Sequence, residues 1–270
     1  MGWRSRHRRV CAVEPADPAL IAAISASAFA TVTPRAEAEV RLERVGGQWL
    51  LTDAHHDATP DRALIAFDGN GEVARALVDH YFHYALPLRM AHQVRDLHGA
   101  LELCVLACPG PLAPVDAVSA ELVRAAPILA PGAQVCFRVR NESAEALRVT
   151  LVSVAASGRV QHLGDQQIPK HSEYRFWARN ELGKPFSMAL PPGRREGVDR
   201  LVAIGTTALD RDLRYLARAT RFVDLVGVRR GPSRGDRDFD DGVADRDSPP
   251  VAQWTSALEV VTTRAPGYTP

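Results

Sequence analysis

The sequence predicts a mainly β protein: an immunoglobulin-like antiparallel β-sandwich preceded by a small α+β segment. From Leu101 onward, short apolar runs alternate with turns rich in Gly and Pro. The best patterned stretch, ALRVTLVSVAASGRVQHLGD at 146–165, reads as two strands around a Ser-Gly turn. Before Leu101 the pattern is that of a hairpin and two helices. We therefore divide the chain into a lead-in segment, 1–100, and a sandwich, 101–270.

The lead-in segment is predicted to begin with a helix and a hairpin. In DPALIAAISASAF, Asp17 suits the N-cap and Pro18 the first helical position. The basic start MGWRSRHRR followed by this apolar run also imitates a secretory signal. Acidic and proline residues separate the two parts, which favours the helix. AEVRLERV (38–45) and GGQWLLTD then form a hairpin across a Gly-Gly turn.

A third strand, 63–68, and an amphipathic helix complete this segment. Val73, Leu77, Val78 and Tyr81 recur at helical spacing after the turn DGNG. Pro87 restricts the residue before it and is expected to end or kink the helix.

The sandwich segment is predicted to contain about eight strands, one helix and one flexible loop. The helix is LDRDLRYLARA, 209–219, and the loop is 229–250, where Arg and Asp dominate and apolar groups are few. The strands are predicted at 101–107, 134–140, 147–155, 159–163, 173–178, 186–190, 200–206 and 251–263. Apolar groups on both faces of the third of these strands predict that it lies centrally and is covered on both sides.

Composition narrows the classes of function. Lys and Arg number 33 and Asp and Glu 32, so the net charge predicts no nucleic-acid partner. No apolar run reaches the length of a membrane span, and no cofactor motif occurs. Cys104 and Cys108 would lie too far apart on one strand for a disulfide. Free thiols in a reducing, cytoplasmic compartment are the expected state of the four cysteines.

Part of the chain resembles a known bacterial module. VCFRVRNESAEALRVTLVSVAASGRVQHL has a strand ending in Asn, a polar loop, a long strand, a Gly turn and a strand ending in Leu. FSMALPPGRREGVDRLVAIGTTALDRDLRYLA adds a Pro-Gly turn, an apolar strand and a short helix. Both resemble the β-sandwich domain appended to bacterial caspase-like proteins, and LVDHYFHYALPLRMAHQV resembles its helical lead-in. The resemblance implies an accessory module without its protease.

Two sets of residues are candidates for binding. His80 and His83 form an H-x-x-H motif on one side of the amphipathic helix, opposite the apolar stripe. This side is predicted to face solvent or a partner. On the strand EYRFWARN, Tyr174 and Trp177 fall on opposite faces, and Trp177 could stack on a partner side chain or a sugar. More often such a Trp packs beneath a neighbouring loop.

A metal site is the alternative interpretation of the histidines. TDAHHD places Asp53, His55, His56 and Asp57 in one loop, and His80 and His83 could complete a zinc-like ligand set if the two clusters converged. DRDFDDG, 236–242, has the alternating Asp residues of a calcium loop, but its Gly comes one position late. No G-x-S-x-G, P-loop or H-E-x-x-H motif occurs.

We expect a non-catalytic interaction or regulatory module whose partner is a protein, such as a caspase-like protease or a related effector. A metal-dependent hydrolase using Asp53, His55, His80 and His83 is the first alternative, and a carbohydrate-binding sandwich using Tyr174 and Trp177 is the second. Hydrolysis needs a positioned nucleophile and a proton-transfer group. The candidate ligands lie on loops and a polar helix face, where such positioning is poorest.

Overall fold

The computed structural model describes residues 9–53, 63–92, 97, 99–107, 128–177, 186–190, 194–210, 213–217, 220–226 and 253–267. Within them the protein is mainly β, as predicted, with thirteen strands in three open sheets. The strands are β1 (Arg9–Glu14), β2 (Ala30–Val32), β3 (Val40–Val45), β4 (Gln48–Asp53), β5 (Ile65–Phe67), β6 (Leu101–Ala107), β7 (Ile128–Leu129), β8 (Val135–Asn141), β9 (Leu147–Val154), β10 (Val160–Ile168), β11 (Ser172–Phe176), β12 (Glu196–Thr206) and β13 (Trp254–Arg264). The described α-helices are α1 (Pro18–Ser25), α2 (Gly71–His92) and α3 (Phe222–Val226).

Two compact units divide the chain: residues 1–83 with 220–251, and residues 84–219 with 252–270. The division falls inside α2, after His83, whereas the sequence analysis put it near residue 100. The first unit also takes up a later segment of the chain that contains α3. The predicted flexible loop, 229–250, lies outside the described residues.

The first unit is built on a mixed five-stranded sheet in the order β2-β1-β3-β4-β5. β1 runs parallel to β2 and β3, and the other pairs are antiparallel. The predicted hairpin is confirmed as β3 and β4. Gly46 and Gly47 form its turn with φ angles of 58° and 87°, a conformation open to glycine.

Two predicted helices of the first unit are confirmed. Asp17 caps α1, since its carboxylate accepts from the N–H groups of Ala19 and Leu20 at 2.9 and 3.1 Å. Asn70 caps α2 by accepting from the N–H of Glu72 at 2.9 Å. The helix continues five residues past Pro87, so that proline does not end it. Within the described residues, no helix combines the length and the apolar character that crossing a membrane requires.

The second unit contains the other two sheets. One has the order β10-β9-β12-β13-β7 and the other the order β11-β8-β6. A single buried cluster includes Leu103 and Phe137 from the smaller sheet and Leu151 and Leu201 from the larger one. The two sheets therefore share one apolar core.

Strand β9 lies between β10 and β12, and every residue of it except Arg148 is buried. This confirms that the strand is central and covered on both faces. Several bounds differ from the predictions. β10 extends to Ile168 instead of ending at 163, and β12 starts at Glu196. Among the described residues of the predicted helix 209–219, only Arg214–Leu216 form a helical turn, of the 3-10 type.

Candidate functional site

The two helix histidines each pack against a phenylalanine ring. The His80 ring meets Phe222 edge to face at 5.0 Å between centroids, and His83 meets Phe29 in the same way at 5.7 Å. His80 is only 8% exposed, and Phe222, the first residue of α3, is fully buried. The prediction that His80 lies on a solvent-facing side of α2 is therefore wrong, because a segment far along the chain covers it. His83 is half-buried.

A serine close to these rings is bonded to an acid. Ser27 Oγ donates to Asp79 Oδ1 at 2.5 Å and accepts from the N–H groups of Phe29 and Ala30. Burial raises the pKa of Asp79, although this hydrogen bond and the Arg75 charge oppose the rise. The Ser27 hydroxyl therefore links Asp79 on α2 to the backbone N–H groups of Phe29 and Ala30.

The proposed metal ligands are only partly within the described residues. His55, His56 and Asp57 lie outside them, so their role stays a prediction. Asp53 ends β4, and its Oδ2 accepts from the Tyr81 hydroxyl at 2.7 Å. Across the described part of the chain, no three His, Cys, Asp or Glu side chains are grouped as metal ligands.

Tyr174 and Trp177 differ in their surroundings. Tyr174 is 41% exposed, and its ring packs edge to face on Phe176 at 5.0 Å. Trp177 directly follows β11 and is half-buried, with its indole Nε1 buried and without an acceptor among the described residues. The tyrosine is thus available to a partner, whereas most of the indole surface already packs within the protein.

A polar cluster on β9 and β10 was not anticipated from the sequence. His162 Nε2 lies 2.7 Å from Asp165 Oδ2, and Thr150 Oγ1 donates to the other carboxylate oxygen. Arg148 Nε lies 4.0 Å from the same carboxylate, and its Nη1 donates to the Leu209 carbonyl at 3.0 Å. The His162 and Asp165 side chains are 24% and 17% exposed.

A β-bulge brings His162 and Asp165 together. Residues three apart on a regular strand point to opposite faces, but the register of β10 shifts between His162 and Gly164. Glycine is needed there, because a Cβ at position 164 would lie 2.9 Å from Phe176 Cδ1. Gly164 itself was the sequence signal for this bulge, because glycine inside a strand often marks one.

The chemistry open to this cluster is limited. A carboxylate can orient an imidazole for proton transfer, as in hydrolytic triads. In a triad, however, the hydroxyl donates to the imidazole. Thr150 instead donates to Asp165, and it is buried, at 1% exposure. The cluster therefore holds β9, β10 and the Leu209 segment together and offers one partly exposed imidazole.

Asp199 is the described acid whose pKa rises furthest. Burial raises it from 3.8 to about 6, although the Ala156 N–H donates to its Oδ1 at 2.8 Å. Asp199 lies on β12 and so anchors the turn of the β9–β10 hairpin. Its ionised form costs the folded state about 3 kcal/mol at neutral pH.

This shift predicts a pH-dependent stability. The folded protein binds the Asp199 proton more tightly than the unfolded chain does. The resulting stabilisation of the folded state is fully present below about pH 4 and is lost as the pH rises through about 6. Asp199→Asn keeps an acceptor for Ala156 and should raise the melting temperature at pH 7.5. It should also flatten the stability profile between pH 4 and 6. Thermal melts across that range, with Asp210→Asn at an exposed position as control, test this. Parallel profiles for wild type and Asp199→Asn would contradict it.

Comparison with known proteins gave no relative. No protein-family model matches the chain, and neither a curated protein nor a solved structure does. Function is therefore argued from the residues and the fold alone.

Proposed function

We propose that the chain is a non-catalytic interaction or regulatory module for a caspase-like protease or a related effector, and that its second unit is an immunoglobulin-like sandwich. The order of the strands in the two sheets is the observation that most supports an immunoglobulin-like sandwich. In such sandwiches the strands named A, B and E form one sheet and C, F and G the other. Here β6, β8 and β11 would be A, B and E, while β9, β10, β12 and β13 would be C, C′, F and G.

This assignment rests on the order of the strands. The conserved disulfide and tryptophan of antibody domains are not present on the corresponding strands. The disulfide between strands B and F would need a cysteine on β12, which has none, and β9 lacks the tryptophan of strand C. The shared apolar core replaces these features. It draws large side chains from both sheets, including Phe137, Leu151 and Ile168.

The resemblance to the caspase-associated sandwich gains support from Asn141. This residue ends β8 and is fully buried. Its Nδ2 lies 2.8 to 3.1 Å from the carbonyl oxygens of Glu145, Ile168 and Pro169. The Asn-containing loop of the quoted motif therefore joins the ends of β8, β9 and β10.

A binding role also agrees with the hydrogen bonds that the hydroxyl groups make and with the backbone groups at the sheet edges. Four described hydroxyl groups, those of Ser27, Thr33, Tyr81 and Thr150, donate to carboxylates. The edge strand β11 carries backbone groups that can pair with another chain.

Binding to a protease is the direct test. The purified chain should bind the catalytic domain of a caspase-like protease encoded beside its gene, measured by isothermal titration calorimetry. Tyr174→Asp, an exposed change on the edge strand β11, should weaken binding if the sandwich edge is the contact. The absence of measurable heat with every caspase-like protease of the same genome would overturn the assigned partner.

The absence of hydrolysis is the second expected outcome. Libraries of peptides and esters should remain uncleaved by the purified chain, with or without added zinc. Turnover abolished by His80→Ala/His83→Ala would support the metal hydrolase instead, and turnover abolished by His162→Gln would assign proton transfer to the β10 cluster. Circular dichroism must accompany the first variant because His80 is buried.

A further inference from the structure

Strand β11 is an exposed edge of the smaller sheet. Among the described residues, it pairs with β8 on one side and is the terminal strand of that sheet. Glu173, Tyr174 and Arg175 are all exposed. The other terminal strands of the second unit are β6, β7 and β10. Of these, β7 has only two residues, and β10 carries a bulge, a common device that blocks strand addition. β11 has neither a bulge nor a proline.

The charges on the outer face of this sheet are unbalanced at its edge. Arg175 lies directly opposite Arg138 on β8, and Arg138 lies opposite Cys104 on β6. Cys104, Arg138 and Arg175 thus form one row across the three strands. This row ends at the edge with two arginines side by side, which is unfavourable. The neighbouring row consists of Glu102, Arg140 and Glu173, so it ends at the edge with an acid.

We propose that β11 pairs antiparallel with β11 of a second copy of this chain, about a two-fold axis at Tyr174. The sequence Ser-Glu-Tyr-Arg-Phe is self-complementary in that register alone. Glu173 of each copy lies opposite Arg175 of the other, and the two Tyr174 residues face each other at the axis. The two rows of charges then continue across the interface, with an acid beside each exposed arginine.

Tyr174 supplies the apolar contact at this axis. Its ring is 41% exposed and is held by the edge-to-face contact with Phe176, so little rotamer freedom is lost when a second tyrosine packs on it. Strand pairing also provides hydrogen-bond partners for the backbone groups on the open side of β11.

The interface is short, which sets the expected affinity. Five residues per copy bury far less than the roughly 1,200 Å² of a standard stable interface. We expect a reversible dimer with a dissociation constant on the order of 100 μM. This association can be measured without the proposed protease partner, since it involves this chain alone.

Charge reversal at two positions tests the register. In sedimentation velocity across concentrations below and above that value, the wild-type chain should dimerise. E173R and R175E should each weaken self-association about tenfold or more, because each places two like-charged pairs across the axis. An equimolar mixture of E173R and R175E should associate again, since every cross-axis pair is then opposite in charge. The double swap E173R/R175E should likewise restore the homodimer.

The results with these variants distinguish a dimer formed through β11 from a dimer formed through another surface. Both positions are exposed, so the variants should retain the wild-type circular dichroism spectrum and melting temperature. A wild-type chain that stays monomeric at all concentrations overturns the proposal. It is equally overturned by single variants that dimerise as well as wild type, or by a mixture that fails to associate. None of these results depends on whether a protease binds.

Discussion

Replacing Asn141 with Asp should cost about 4 kcal/mol of folding free energy at neutral pH. The two side chains have the same size, so the effect comes from the lost donors. The Asn141 Nδ2 group lies within 3.1 Å of three carbonyl oxygens, and Oδ1 accepts from the N–H and the Oγ of Ser143. A carboxylate at this buried position would face the three carbonyl oxygens without a donor.

The measurement is chemical denaturation, and its pH dependence provides a second check. Burial among carbonyl groups should raise the pKa of the introduced carboxyl, so the deficit should shrink as the pH falls and the group takes up a proton. Asn70→Asp is the matched control, because the Asn70 side-chain oxygen only accepts hydrogen bonds, from Glu72 and Val73 at the start of α2. Asp caps a helix as well as Asn does, so the control should be nearly neutral. Equal losses in the two variants would rule out the assigned role of Asn141.

Features that depend on neighbouring residues were predictable from the sequence. The start of α1 follows from Asp17 and Pro18, which act within one helical turn. The β3–β4 hairpin follows from two glycines that can adopt positive φ angles. The two-sided burial of β9 follows from its continuous apolar pattern.

Features that depend on distant residues were not predictable. β10 was expected to end at Leu163. Gly164 instead lies at a bulge against Phe176 of the other sheet, and this contact is invisible in the local sequence. The pairing of His162 with Asp165 depends on that bulge, so the cluster was missed with it.

The burial of His80 was missed for the same reason. Helical periodicity assigns one apolar stripe to α2 and leaves His80 on the other side. Phe222, which packs on that ring, belongs to α3, a helix that was not predicted from the sequence. Periodicity describes which residues share a face, but it does not report how many faces are covered.

Acidic substitutions on the two faces of β9 should both be severely destabilising. Leu151 belongs to the core shared by the two sheets, and Val152 points to the opposite face. Both are 0% exposed. A carboxylate at either position would be buried without a prepared partner, at a cost of about 3–5 kcal/mol. Val152 lies opposite His162, but that imidazole is already bonded to Asp165.

Comparison of the two faces makes the test specific. Gln167→Asp on β10 is the control, because that residue is exposed and lies opposite Arg148. The melting temperature of this control should be close to that of the wild type. The melting temperatures of Leu151→Asp and Val152→Asp should be far lower. If Leu151→Asp is destabilised while Val152→Asp melts like wild type, only one face of β9 is covered, as in a sheet with a solvent-exposed side. The large loss in both variants is expected because Leu151 and Val152 are buried on opposite faces of β9, so a carboxylate at either position cannot reach water.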